Sequence, residues 1–206
     1  MAERGMYVKK FLSTALIALL LAALLCSAAS AATFHQSNGT APAPYGNTTS
    51  SNSNAVIRFK RSHFKGGQNF AVYSGPGYEY FRAAGGWAKM LTDETSYEAG
   101  REGNWILVMY PISGGYRVGY VDRSQLKYSY TTDNIYMAYE DAVITSSCHL
   151  TQDPISVNGA PLVDISAGEH VTYLAEFHDK KSYAFIELAV DGEWVRGFVP
   201  LNCIRR

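Results

Sequence analysis

Beyond Asn54 the chain alternates between short apolar runs and clusters of Gly, Asp, Asn and Pro. The clearest runs are Trp105-Ile-Leu-Val-Met-Tyr110, Arg117-Val-Gly-Tyr-Val121, Tyr183-Ala-Phe-Ile-Glu-Leu188 and Trp194-Val-Arg-Gly-Phe-Val199. They are short, rich in β-branched and aromatic residues, and bounded by turn chemistry, the signature of strands joined by hairpins. Ser113-Gly-Gly115 and Asp191-Gly192 mark two of the turns. No window sustains a helical period over three turns, although Phe81 to Thr92 has room for one short helix or an irregular loop. The expected fold class is all-β.

The pattern also repeats loosely, at a period of about 75 residues. In the first copy Glu98-Ala-Gly-Arg101 leads to the Trp105 run, a Gly turn and Arg117 to Val121. In the second, Ala167-Gly-Glu-His170 leads to Val171-Thr-Tyr-Leu174, the Tyr183 run, the Asp191-Gly192 turn and Val195 to Pro200. Each copy ends on a strand Gly followed by an aromatic and Val, Gly119-Tyr-Val121 and Gly197-Phe-Val199, as suits a strand bending across a small barrel.

Upstream of Asn54 the pattern is different. Arg4, Lys9 and Lys10 precede an apolar run from Phe11 to Leu25, and small residues from Ser27 to Ala32 follow, the order of a secretory signal peptide. The run is shorter than the roughly 20 residues that cross a bilayer as a helix, so cleavage near Ala32 is expected, with retention as an anchor the weaker alternative. Cys26 invites a lipoprotein reading, but Leu25 stands where a small residue is wanted. Residues 33–54 are dominated by Ser, Thr, Asn, Gly, Ala and Pro and cannot bury enough apolar surface to offset chain ordering, so they read as a disordered linker. The expected organisation is a signal peptide at 1–32, the linker at 33–54, a first domain at 55–130 and a second at 138–206. The expected location is secreted, extracellular or cell-wall associated.

Composition narrows the function classes. Loss of residues 1–32 removes three basic residues and one acid from a balance of 18 and 18, leaving a net charge near −2. Nucleic acid is therefore not an expected partner. The exception is the basic stretch Arg58, Lys60, Arg61, His63 and Lys65, which fits either an anionic polymer or an ordinary solvated edge. Cys148, His149, His170 and His178 invite a cysteine-hydrolase reading, but no stretch remains for the catalytic domain it needs. His170, His178, Asp164, Glu176 and Asp179 match no metal-ligand spacing. No enzyme activity, cofactor or metal is expected, and no membrane span after signal cleavage. Cys148 and Cys203 are the two cysteines left after processing, and in an oxidising compartment they make one disulfide candidate; two separate thiols are the alternative.

Val72-Tyr-Ser-Gly-Pro-Gly-Tyr-Glu-Tyr80, Gly100-Arg-Glu-Gly-Asn-Trp-Ile-Leu-Val108 and Tyr116-Arg-Val-Gly-Tyr-Val121 together resemble the bacterial SH3-like (SH3b) domain of exported Gram-positive proteins. The likeness spans about Phe70 to Leu126. The second copy, about Ala138 to Ile204, resembles a divergent member: Gln152-Asp-Pro-Ile155 replaces the Gly-Pro-Gly, and Ala184-Phe185 stands where the first copy has a Trp. The resemblance implies two small, partly open SH3-like barrels in tandem, or one such barrel and a differently folded β unit. It places Cys148 and Cys203 near the adjacent first and last strands of the second barrel. It also implies a monomeric binding module whose partner is peptidoglycan or a surface protein. Tyr73, Tyr78, Tyr80 and Tyr110 are the candidate ligand-binding residues, in or beside the loops that frame the family's groove; Trp105 and Trp194, at strand starts, read as core.

Overall fold

Each apolar run becomes a strand, and the runs without alternation are those buried on both faces. The structure is a computed structural model describing residues 52–64, 68–82, 87–90, 96–155 and 161–206. The expected signal peptide and nearly all of the expected linker lie outside the described residues. The fold is all-β, and no α-helix occurs among the described residues.

Two antiparallel meanders form the framework. The first joins β5 (Tyr97–Glu102), β6 (Trp105–Ile112) and β7 (Gly115–Asp122). The second joins β11 (His170–His178), β12 (Ser182–Val190) and β13 (Glu193–Pro200). Adding β2 (Lys60–Arg61), β3 (Gln68–Tyr73) and β4 (Trp87–Met90) gives a first sheet of order β2-β5-β6-β7-β3-β4. Part of the stretch expected to be a short helix or loop is thus strand β4, paired with β3. The second sheet adds β8 (Glu140–Ile144) and β14 (Ile204–Arg205) in the order β13-β12-β11-β8-β14. A short hairpin of β9 (Cys148–Leu150) and β10 (Val163–Ile165) covers the edge of β13 through paired bonds between Thr151 and Phe198, as exposed edges require.

The meanders are built alike. β5 and β11 each carry a register shift, between Glu98 and Gly100 and between Tyr173 and Ala175. Gly119 of β7 and Gly197 of β13 hold equivalent places: a Cβ would lie 2.9 Å from the Tyr73 carbonyl oxygen at the first and 2.9 Å from that of Thr151 at the second. The repeated Gly exists because another strand's backbone crosses there.

Hydrophobic burial falls into three clusters. Ile106, Val108 and Tyr110 of β6 face one belonging to the first sheet, and Ala184, Ile186, Leu188 and Val190 of β12 face one belonging to the second. Trp105, Leu107 and Met109, on the opposite face of β6, meet Leu174, Phe177, Phe185 and Phe198 of the second sheet in a third cluster shared by both. A strap reinforces the junction: β1 (Val56–Ile57) pairs in parallel with β11, and three residues later β2 pairs with β5. By pairing, β1 therefore belongs with the second sheet, although it precedes the first. Val118 N–H donates to the Gln152 carbonyl at 2.8 Å, and Arg117 grips Asp153 at 2.6 and 2.8 Å.

These contacts decide whether half of the molecule can fold. Leu107, Tyr120, Leu174, Ala175 and Phe198 are 0% exposed in the shared cluster. Exposing each large side chain forfeits about 1.5–3 kcal/mol, against a total stability of about 5–15 kcal/mol for a small domain. A chain ending at Tyr130 is therefore expected to lack a cooperative thermal transition by circular dichroism. A sharp transition in that shorter chain would show the first sheet to be self-sufficient.

Candidate functional site

Tyr73 ends β3, Trp105 opens β6, and Tyr78 lies in the loop after the Gly-Pro-Gly. The three rings meet edge to face: Tyr78 lies 4.9 Å from Trp105 and 5.4 Å from Tyr73, and Tyr73 lies 5.4 Å from Trp105. Trp105 is buried and Tyr73 partly so, while Tyr78 is 64% exposed. The Arg82 guanidinium sits 5.7 Å from the Tyr73 ring on the same cluster.

Tyr78 is exposed yet held. Its hydroxyl donates to Asp122, a buried carboxylate at the end of β7 that also accepts from Asn104 Nδ2 at 2.7 Å, Ser124 N–H at 2.8 Å and the Ser124 hydroxyl at 2.6 Å. Burial acts to raise the Asp122 pKa, but the bonds from Ser124, Tyr78 and Asn104 outweigh it and leave the carboxyl below its ordinary value. The hydrogen bond to Asp122 in turn raises the Tyr78 phenol. The result is a preorganised aromatic face, able to stack against a ligand without first ordering a side chain.

The other two candidate tyrosines do not join this face. Tyr110 is 5% exposed, packed in the first sheet's own cluster beside Arg117, and burial pushes its phenol up to about 12. Tyr80 is 6% exposed, and its hydroxyl donates to Glu187 Oε2 at 2.6 Å. Of the four tyrosines expected to frame a groove, the structure brings Tyr73 and Tyr78 into contact with each other and places Tyr80 and Tyr110 in the interior. Of the two tryptophans, Trp105 is core, whereas Trp194 is partly exposed, with its carbonyl accepting from Phe81 N–H at 2.8 Å.

Tyr80 belongs to a polar network between the sheets. Arg196 of β13, 1% exposed, donates from Nε to Glu187 Oε2 at 2.6 Å and from one terminal nitrogen to Glu102 Oε2 at 2.7 Å and the Tyr120 hydroxyl at 3.0 Å. Its other terminal nitrogen donates to the Tyr139 hydroxyl at 3.2 Å. The Tyr120 hydroxyl donates to Glu102 at 2.5 Å, and that of Tyr139 donates to the same carboxylate. Burial and the two neighbouring carboxylates drive the phenols of Tyr80, Tyr120 and Tyr139 upward, so they act as neutral donors. Arg196 and Glu187 escaped the sequence analysis although a signal existed. Both interrupt apolar runs, and counting equal steps back from the Asp191-Gly192 turn sets them opposite each other, the register observed.

The remaining candidates are dispersed. Cys148 and Cys203 carry free thiols, and burial first, then the charge of neighbouring Cys203, pushes the Cys148 thiol up to about 12. His149 pairs with Asp164, His170 with Asp141 at 3.2 Å, and His178 with Glu176 at 2.8 Å, all on the surface of the second half. No group of three or more metal-ligating side chains converges among the described residues. Of the basic stretch, Lys60 bonds Asp133 at 2.7 Å, while Arg58, Arg61 and His63 are exposed along the strap. A cavity of about 550 Å³ lies between Tyr183 and Leu201, and one of about 450 Å³ between Phe59, Met109 and Phe177.

Two outcomes follow from this geometry. Arg196→Met leaves Glu102 and Glu187 buried without a countercharge and is expected to cost about 3–5 kcal/mol in urea unfolding; converting both glutamates to Gln in that background should recover most of the loss. For Asp122, the lowered folded pKa means that its stabilisation is complete above its ordinary value of 3.8 and is lost as pH falls below it. Asp122→Asn should therefore flatten the acid limb of the stability–pH curve, whereas an unchanged limb would show that Tyr78 is not held through this carboxylate. Comparison with protein-family models, curated proteins and solved structures yields no match, so the functional reading rests on the geometry above.

Proposed function

We propose that this chain is an exported, non-catalytic binding module that attaches to the cell wall by recognising peptidoglycan through the face formed by Tyr73, Tyr78 and Trp105. The observation that carries this reading is a large aromatic ring, 64% exposed, held upright by a buried carboxylate rather than left mobile. Such a ring offers contact area at low entropy cost to a sugar face or a peptide. Arg82 beside Tyr73 supplies a positive charge near the face, which suits the carboxylates of a wall peptide.

Three further features support the reading. Tyr73 and Tyr78 lie in the Gly-Pro-Gly stretch on which the resemblance to SH3-like domains rests. Within the second sequence copy β8 and β14 pair as first and last strands, with a 3₁₀ turn, Leu201–Cys203, between the last two, an order that suits a small SH3-like barrel. The N-terminal segment has the pattern of a signal peptide, consistent with a site of action outside the cell.

Co-sedimentation of residues 33–206 with purified peptidoglycan tests the reading. Tyr78→Ala is expected to weaken binding about tenfold or more, the scale of an interfacial aromatic anchor. Ala at Tyr136, another exposed tyrosine at 47%, should leave binding unchanged. Folded protein that stays in the supernatant would overturn the wall reading and favour the alternative partner, another exported or surface protein docking on the same face.

A further inference from the structure

Cys148 opens β9, and Cys203 closes the turn that leads into β14. They are 55 positions apart in the chain, yet the fold brings the segments that carry them together. Thr145 N–H, three residues before Cys148, donates to the Cys203 carbonyl at 2.7 Å, and Ile204 pairs with Ile144. Cys148 packs against the second sheet's own cluster together with Leu201 and Ile204. Pro200, Leu201 and Asn202, immediately before Cys203, form one wall of the cavity of about 550 Å³.

We propose that Cys148 and Cys203 are a disulfide site that fastens the C-terminal turn, and with it the wall of this cavity, to the start of β9, and that the bond is installed before the second sheet closes. This stands apart from what the aromatic face binds. The oxidant is a low-molecular-weight or protein disulfide. One cysteine thiolate attacks its sulfur and releases the first thiol. The second thiolate then attacks the mixed disulfide and releases the other thiol. The protein loses two electrons and two protons, which end on the two released thiols.

The order of events follows from access. Cys203 is 8% exposed and Cys148 is half-buried. Burial holds the Cys148 thiol near 12, so little thiolate exists at neutral pH once the sheet has formed. Oxidation therefore belongs mainly to the open chain, and the folded reduced pair reacts more slowly. The bond closes a loop of about 56 residues, long enough to restrain the unfolded chain strongly.

The test uses the full chain carrying Cys26→Ser, so that only this pair can react. Refolding from urea in a glutathione redox buffer is expected to give an intramolecular bond, seen as loss of two hydrogen atoms by mass spectrometry and one linked Cys148–Cys203 peptide. The melting temperature should rise by roughly 10 °C over the reduced chain, and amide exchange at Thr145 should slow at least about tenfold. Oxidised glutathione added to the folded reduced chain should act at least about tenfold more slowly than during refolding. Mixed adducts or intermolecular dimers in place of the linked peptide, or a linked peptide with no change in melting, would overturn the proposal. Oxidation of the folded chain as fast as that of the refolding one would overturn its order of events. Because oxidised and reduced forms share one sequence, no outcome depends on whether a variant of Cys148 or Cys203 folds.

Discussion

The guanidinium of Arg196 is buried at the junction of two sheets, where it touches carboxylates and phenols from both. A charge taken out of water costs several kcal/mol unless its partners are in place. Glu187 and Arg196 come from neighbouring strands of the second sheet, Glu102 and Tyr120 from the first, Tyr80 from the loop beyond β3, and Tyr139 from the link between the sheets. All of these segments must arrive together for the guanidinium to be satisfied. Tyr139 reaches the network from a left-handed backbone, φ 52°, a conformation that a bulky residue holds only where its surroundings compel it. The network thus selects one arrangement of the sheets, while the apolar cluster around it supplies most of the stabilisation.

Sharing a core answers a size problem. A domain of about 60 residues buries only about 60% of the surface its unfolded chain exposes and is marginal alone. Here β6 is covered on both faces, by its own sheet's residues on one side and by the second sheet on the other. The strap from Val56 to Arg61 adds a strand to each sheet in turn, and the β9–β10 hairpin closes the β13 edge. The two halves share one core although their sequences repeat.

Tyrosine does two kinds of work in this molecule. Tyr80, Tyr120, Tyr130 and Tyr139 donate to buried or half-buried carboxylates, letting charged groups sit inside a small protein. Tyr78 also donates to a carboxylate, but its ring stays outside. The same pairing that stabilises an interior tyrosine here holds an exposed one in place.

Local pattern was enough to determine strands β6, β7, β12 and β13, the turn within each of these two pairs, the repeated glycines and the all-β class, because strand propensity, side-chain alternation and turn chemistry act over a few residues. Strand β4, the pairing of β1 with β11, the burial of Tyr80 and Tyr110 and the convergence of Arg196 with Glu102 were decided by tertiary structure. Each depends on which face of one strand meets a segment far away in the chain. Residues near 102 and 196 carry no mark of one another in a single sequence; packing two twisted sheets over a common core brings them together.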